Sequence, residues 1–221
     1  MPLPFSRFEF FQLFAAYNAA FWPAVAALWL ASVLAVLGLL SSRRPPDRWI
    51  SALLTIHWAW SAIAYHLVLF TTINPAAWLF GTMFLVQSAL FAWSGLMKRD
   101  LSFRPSRTAR AQIGWLLIVY ALLYPLINAL VHGSFNAIPT FGLPCPTTIF
   151  TAGLLLHASS RSRPLVIIPI VWSVIGGSAA FLFGVSADYA LPVAGLMLAL
   201  FAARKPLCPQ PMAAETAMES G

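Results

Sequence analysis

Residues 136–156 read NAIPTFGLPCPTTIFTAGLLL, and their reading decides how the whole chain crosses a membrane. Pro139, Pro144 and Pro146 interrupt the place where a spanning helix has to begin, and Cys145 sits between the last two. Counted from Thr147 to Ala158, the apolar run is about 12 residues, or near 18 Å at 1.5 Å per residue. That is short of the roughly 30 Å hydrocarbon core. The segment is therefore either a re-entrant helix or a full crossing with a folded, non-helical entry at 136–145. Non-helical backbone at that depth is tolerated only where protein or a water-filled cavity surrounds it. The parity of the remaining spans favours the full crossing.

Outward from this stretch the chain alternates apolar runs with basic turns. Hydrophobic residues make up 60% of its 221 residues and charged ones 9%, which excludes an ordinary soluble domain, where about a quarter are charged. The runs are continuous, without a period of two, so helices and not strands satisfy the backbone in lipid. The spacing predicts helices over about 21–40, 49–70, 76–97, 112–131, 147–158, 164–184 and 189–203, giving an all-α bundle of seven transmembrane helices over residues 21–205. Residues 1–20 carry Phe5, Phe8, Phe11 and Phe14 three apart, a stripe that suits an interfacial amphipathic segment. Residues 206–221 are polar and aperiodic and read as a disordered cytoplasmic tail.

The basic residues set the orientation. Twelve of the thirteen Lys and Arg fall in 43–48, 98–110, 161–163 and 204–205, leaving Arg7 alone on the other side. Two apolar runs lie between each consecutive pair, so the positive-inside rule puts the N-terminus outside and the C-terminus in the cytoplasm. The net charge of +7 is thereby accounted for without nucleic acid, and the partner it implies is the lipid bilayer.

Four blocks, FAAYNAAFWP (14–23), INPAAWLFG (73–81), PTFGLPCPTTIFTAGLLL (139–156) and IGGSAAFLFGV (175–185), resemble a family of small bacterial integral-membrane proteins of unknown function. Some of its members are loosely labelled transporter permeases. The resemblance covers nearly the whole chain and implies the bacterial inner membrane. It assigns no catalytic or ligand residues.

Candidate chemistry is sparse. No Lys, Arg, Asp or Glu falls inside the predicted spans, which counts against an ion-coupled carrier. His66 and His132 lie near the outer ends of two helices, at similar depth, and form a candidate haem or metal pair. His57 and His66, nine residues apart, fall on nearly opposite faces of an ideal α-helix. Cys145 stands at a helix N-terminus, where the dipole favours a thiolate suited to a soft metal, with Thr147 or Thr148 as the cap. Its only possible disulfide partner, Cys208, lies across the membrane. The outer-face polar groups Glu9, Asn18, Asn74, His132, Asn136, Cys145 and Asp188 suggest a shallow cavity opening outward, with His66, His132, Asn136, Cys145, Thr147 and Asp188 as its ligand-binding candidates. No hydrolase motif or retinal-bearing lysine appears. The leading expectation is permeation of a small solute or soft metal species. A haem or metal enzyme built on His66 and His132, and a subunit that works only with a partner or as an oligomer, are the alternatives.

Overall fold

In the computed structural model, residues 5–41, 46–132, 138–158 and 163–203 are described; of Val131 and His132 only the backbone is. They form seven α-helices: α1 Arg7–Leu40, α2 Asp47–Trp60, α3 Ala77–Phe91, α4 Ala109–His132, α5 Pro144–Leu155, α6 Pro164–Phe183 and α7 Ala190–Ala203. Helix α2 runs on through a π-helical turn, Ser61–Leu67, into a 3-10 turn, Phe70–Thr72. Helix α3 likewise ends in a π-helical turn, Ala92–Met97, and a 3-10 turn, Ser186–Tyr189, leads into α7. All except α5 belong to segments long and apolar enough to cross a membrane.

The distribution of polarity is that of a protein whose solvent is lipid. Leu34, Leu116, Leu130, Val174 and Phe181 are exposed, while Ser32, His57, Gln87, Asn128 and Thr151 are buried. An apolar exterior of this extent is an interface with apolar surroundings. The interior polar groups repair the backbone. Pro169 in α6 has no N–H for the carbonyl four residues earlier, and Gln87 Nε2 donates to that carbonyl, Leu165 O, at 2.9 Å.

Residues 7–20 are not a separate interfacial helix: they are the opening turns of one 34-residue α1. Ser6 and Glu9 close its N-terminus as a capping box, Glu9 N donating to Ser6 Oγ at 3.2 Å and Ser6 N to Glu9 Oε2 at 2.7 Å. The three-apart phenylalanine stripe is only partly the buried face. Phe5 and Phe14 are inside, Phe8 is 72% exposed, and Phe10 stacks instead on Phe183 with ring centroids 4.8 Å apart. The start of α1 thus lies over the turns joining α2 to α3 and α6 to α7, where Phe5 meets Phe70 and Phe183.

Helix α5 is the axis of the bundle. It has 12 residues, and every one except the half-buried Cys145 is buried. It packs against α2, α4, α6 and α7, so protein surrounds it in place of lipid. Against α4 the backbones nearly touch: a Cβ placed on Gly153 would lie 2.6 Å from Ile118 Cγ1 and 2.8 Å from Gly114 O. Small residues at such crossings let membrane helices approach and gain van der Waals contact.

The non-helical entry to α5 is packed as the short helix requires. Ile138 and residues 141–143 are buried. Asn18 of α1 donates from Nδ2 to Ile138 O at 3.0 Å and accepts from Thr140 Oγ1 at 2.6 Å, while Asn128 of α4 donates to Pro139 O at 3.4 Å. Trp60 Nε1 donates to Tyr17 OH at 2.7 Å, which in turn donates to Phe141 O at 3.5 Å. Gly142 is held at φ +85°, and a Cβ there would meet Tyr17 OH at 2.8 Å, so the turn into α5 requires glycine.

At the opposite end the loop before α4 closes the base. Phe103 pairs with Ala158, Arg104 N donates to His157 O at 2.9 Å, and Asp47 accepts from Phe103 N at 2.9 Å. Arg104 and Asp47 also form an exposed ion pair at 3.9 Å.

A buried carboxyl cavity as the candidate functional site

Helix α5 begins at Pro144, earlier than its apolar run suggests. Its N-cap is Leu143 and no side chain caps it. Thr148 Oγ1 bonds back to Pro144 O at 2.8 Å, and Thr147 Oγ1 is buried without a partner. The two prolines explain how a helix start is tolerated inside a protein. Helix N-termini leave N–H groups unpaired, and Pro144 and Pro146 remove two of them outright. Thr147 N already bonds to Leu143 O at 3.1 Å. Cys145 is thus placed in the first turn of a helix whose positive end faces the interior.

The group it meets there is Asp188. Although it lies in the short turn between α6 and α7, Asp188 is not on an outer surface: it is 4% exposed and belongs to the interior. Tyr124 OH of α4 donates to its Oδ1. The Cys145 thiol lines the same cavity as this carboxyl. Tyr65, from the π-helical turn after α2, lines the same cavity. Tyr120, one turn before Tyr124, donates to Ala187 O at 2.7 Å and fixes the 3-10 turn from below. The bundle therefore does hold a carboxyl, contrary to what the placing of its spans suggests.

Asp188, Tyr124, Cys145 and Tyr65 wall a cavity of about 70 Å³. Phe10 and Phe14 of α1 cover it, Phe80 and Trp172 line one side, and Ile175, Gly176 and Ala179 of α6 complete it. Trp172 Nε1 lies near the Cys145 sulfur without forming a hydrogen bond of ordinary geometry. The enclosed site offers one carboxyl, one thiol, two phenols and aromatic ring surface.

The other expected groups lie elsewhere. His66 does not line the cavity. It is fully buried among Phe84 and Trp172, at centroid distances of 4.8 and 5.2 Å, with both ring nitrogens unpartnered. His57 is buried as well, beside Phe141 and Phe150, with different neighbours from His66. Ser32 donates its hydroxyl proton to Leu28 O at 2.8 Å, so His57 Nε2 is the donor in its 2.9 Å contact with Ser32 Oγ. His157, beyond the end of α5 in the base, is kept neutral by burial and then by Arg110, which lower its pKa to about 4. The His132 side chain and all of Asn136 lie outside the described residues. Among the described residues no three of His, Cys, Asp or Glu come together as a metal site.

Of the remaining outer polar residues, Glu9 is a cap and Asn18 holds the entry to α5. Asn74 Oδ1 accepts from Ala76 N at 3.0 Å in the turn ahead of α3. Sequence reasoning missed Tyr124, Tyr65, Trp172 and the two covering phenylalanines. One signal was available: Tyr120, Tyr124 and Asn128 recur every four residues, a polar stripe along one face of an otherwise apolar helix.

No curated protein and no solved structure matches this chain. Residues 7–208, which take in all seven helices and the whole of the cavity, match the family of unknown function DUF6064, and the chain belongs to that family.

Proposed function

We propose that this protein is a multi-pass permease of the bacterial inner membrane, with its N-terminus outside and its C-terminus in the cytoplasm. A small solute enters from the outer side into the cavity bounded by Cys145, Asp188, Tyr65 and Tyr124. The observation that carries the reading is the buried Asp188 carboxyl, which accepts a hydrogen bond from Tyr124 in the wall of a cavity that Cys145 also lines. An ionisable group inside a membrane bundle is costly and marks a solute or ion path far more often than a structural role. The start of α1 covers that space with Phe10 and Phe14, side chains whose movement would open it outward. The basic residues of the opposite end agree with a cytoplasmic base.

The test is uptake into proteoliposomes from a panel of small labelled alkylamines, amino acids, short carboxylates and copper(I). The account expects at least one solute to enter above the level of protein-free vesicles and Asp188→Asn to abolish that uptake. Entry at the protein-free level for the whole panel, or full uptake by Asp188→Asn, would contradict it.

A further inference from the structure

We infer that the cavity takes a small primary or secondary alkylammonium cation, an inference that rests on the permease reading and names its substrate class. Three features of the walls converge on this. The first is charge. Among the described residues Asp188 is the only acidic or basic one that lines the space, so a monocation matches it one for one. An anion would face a buried carboxyl without a compensating guanidinium or ammonium group, at a heavy desolvation cost.

The second is the ring surface. Phe10, Phe14, Tyr65, Phe80, Tyr124 and Trp172 all contribute to the lining. The faces of such rings carry negative quadrupolar charge, and a cage of them beside one carboxyl attracts ammonium groups, most strongly where water is excluded. The polar atoms present also favour a donor ligand. Asp188 Oδ1 already accepts from Tyr124, and the lone pairs that remain on the carboxyl can accept from a cation's N–H groups.

The third is size. At about 70 Å³ the cavity is roughly half of one known to admit benzene, which sets a ligand of about two to four heavy atoms. Methylammonium and dimethylammonium fit that limit, whereas an amino acid or a large quaternary amine does not. Arg7, the only Lys or Arg among the described residues of this end, does not compete for the carboxyl. Its guanidinium lies at the C-terminal end of α6, 3.4 Å from where a Cβ on Gly184 would stand. That position suits a cation by the helix dipole.

The experiment is calorimetric titration of the purified full-length protein in detergent with methylammonium chloride, against sodium chloride and sodium acetate at equal ionic strength. Saturable binding of methylammonium alone is expected. Asp188→Asn should weaken it at least about ten-fold. Because loss of the carboxyl can also disturb the fold, Ala179→Leu is the second variant. It fills the space from α6 without touching the charged cluster, and should abolish binding while the protein still elutes as a single folded species. Binding of acetate in preference to methylammonium, no binding of either, or undiminished binding by Ala179→Leu overturns the inference. Asp188-dependent uptake of some other solute would leave the permease reading standing while this one fails. Methylammonium binding without any uptake would sink the permease reading alone.

Discussion

Asp188 shows how far a single residue can depart from what its place in the sequence suggests. It follows a glycine-terminated helix and precedes an apolar one, the usual position of a turn residue at a surface. What holds it inward is Tyr124, 64 residues earlier, and such long-range pairing leaves no local trace. Cys145 was legible as unusual because it stands between two prolines, but the carboxyl that shares its cavity was not. The tyrosine is the residue to change. Tyr124→Phe keeps the ring and removes one hydrogen bond to a buried carboxyl, so the protein should lose about 1–3 kcal/mol of stability in detergent. Thermal unfolding of wild type and variant checks this, and identical transitions would mean that the carboxyl does not depend on the phenol.

At the scale of elements, helix α5 settles what its sequence left open. A 12-residue helix cannot span lipid, yet it need not, because α2, α4, α6 and α7 enclose it and the chain leading into it is held by Asn18, Asn128 and Tyr17. The short apolar run and the prolines announced a folded entry. Which side chains would hold it was illegible, since Asn18 lies 120 residues away. Helix ends were read to within a few residues, except where α1 continues back to Arg7 and where π-helical turns end α2 and α3. Those turns change which face a residue such as His66 presents, and hydrophobic periodicity does not foretell them. The α4–α5 contact gives a second prediction. Gly153→Ala sets a methyl group against Ile118 Cγ1 and the Gly114 carbonyl, so it should cost about 1–3 kcal/mol. A thermal transition unchanged by Gly153→Ala would show that the two helices are free to move apart.

Over the whole molecule, composition and the spacing of basic turns were enough for the all-helical membrane bundle, because lipid constrains every span alike. The two ends differ as those turns suggest. One is closed by Asp47, Phe103 and Arg104 around the end of α5, the other by phenylalanines of α1 over the carboxyl cavity. The proposed function stands on the second end being the entrance. The direct measurement uses Cys208→Ser, which leaves Cys145 as the single thiol, in right-side-out vesicles. Silver ion, a thiol-reactive cation small enough for the cavity, is added in chloride-free buffer first outside, then in a parallel sample inside, and binding is read by native mass spectrometry. The account predicts that Cys145 reacts from outside and that uptake then stops; reaction from the inside alone would contradict it.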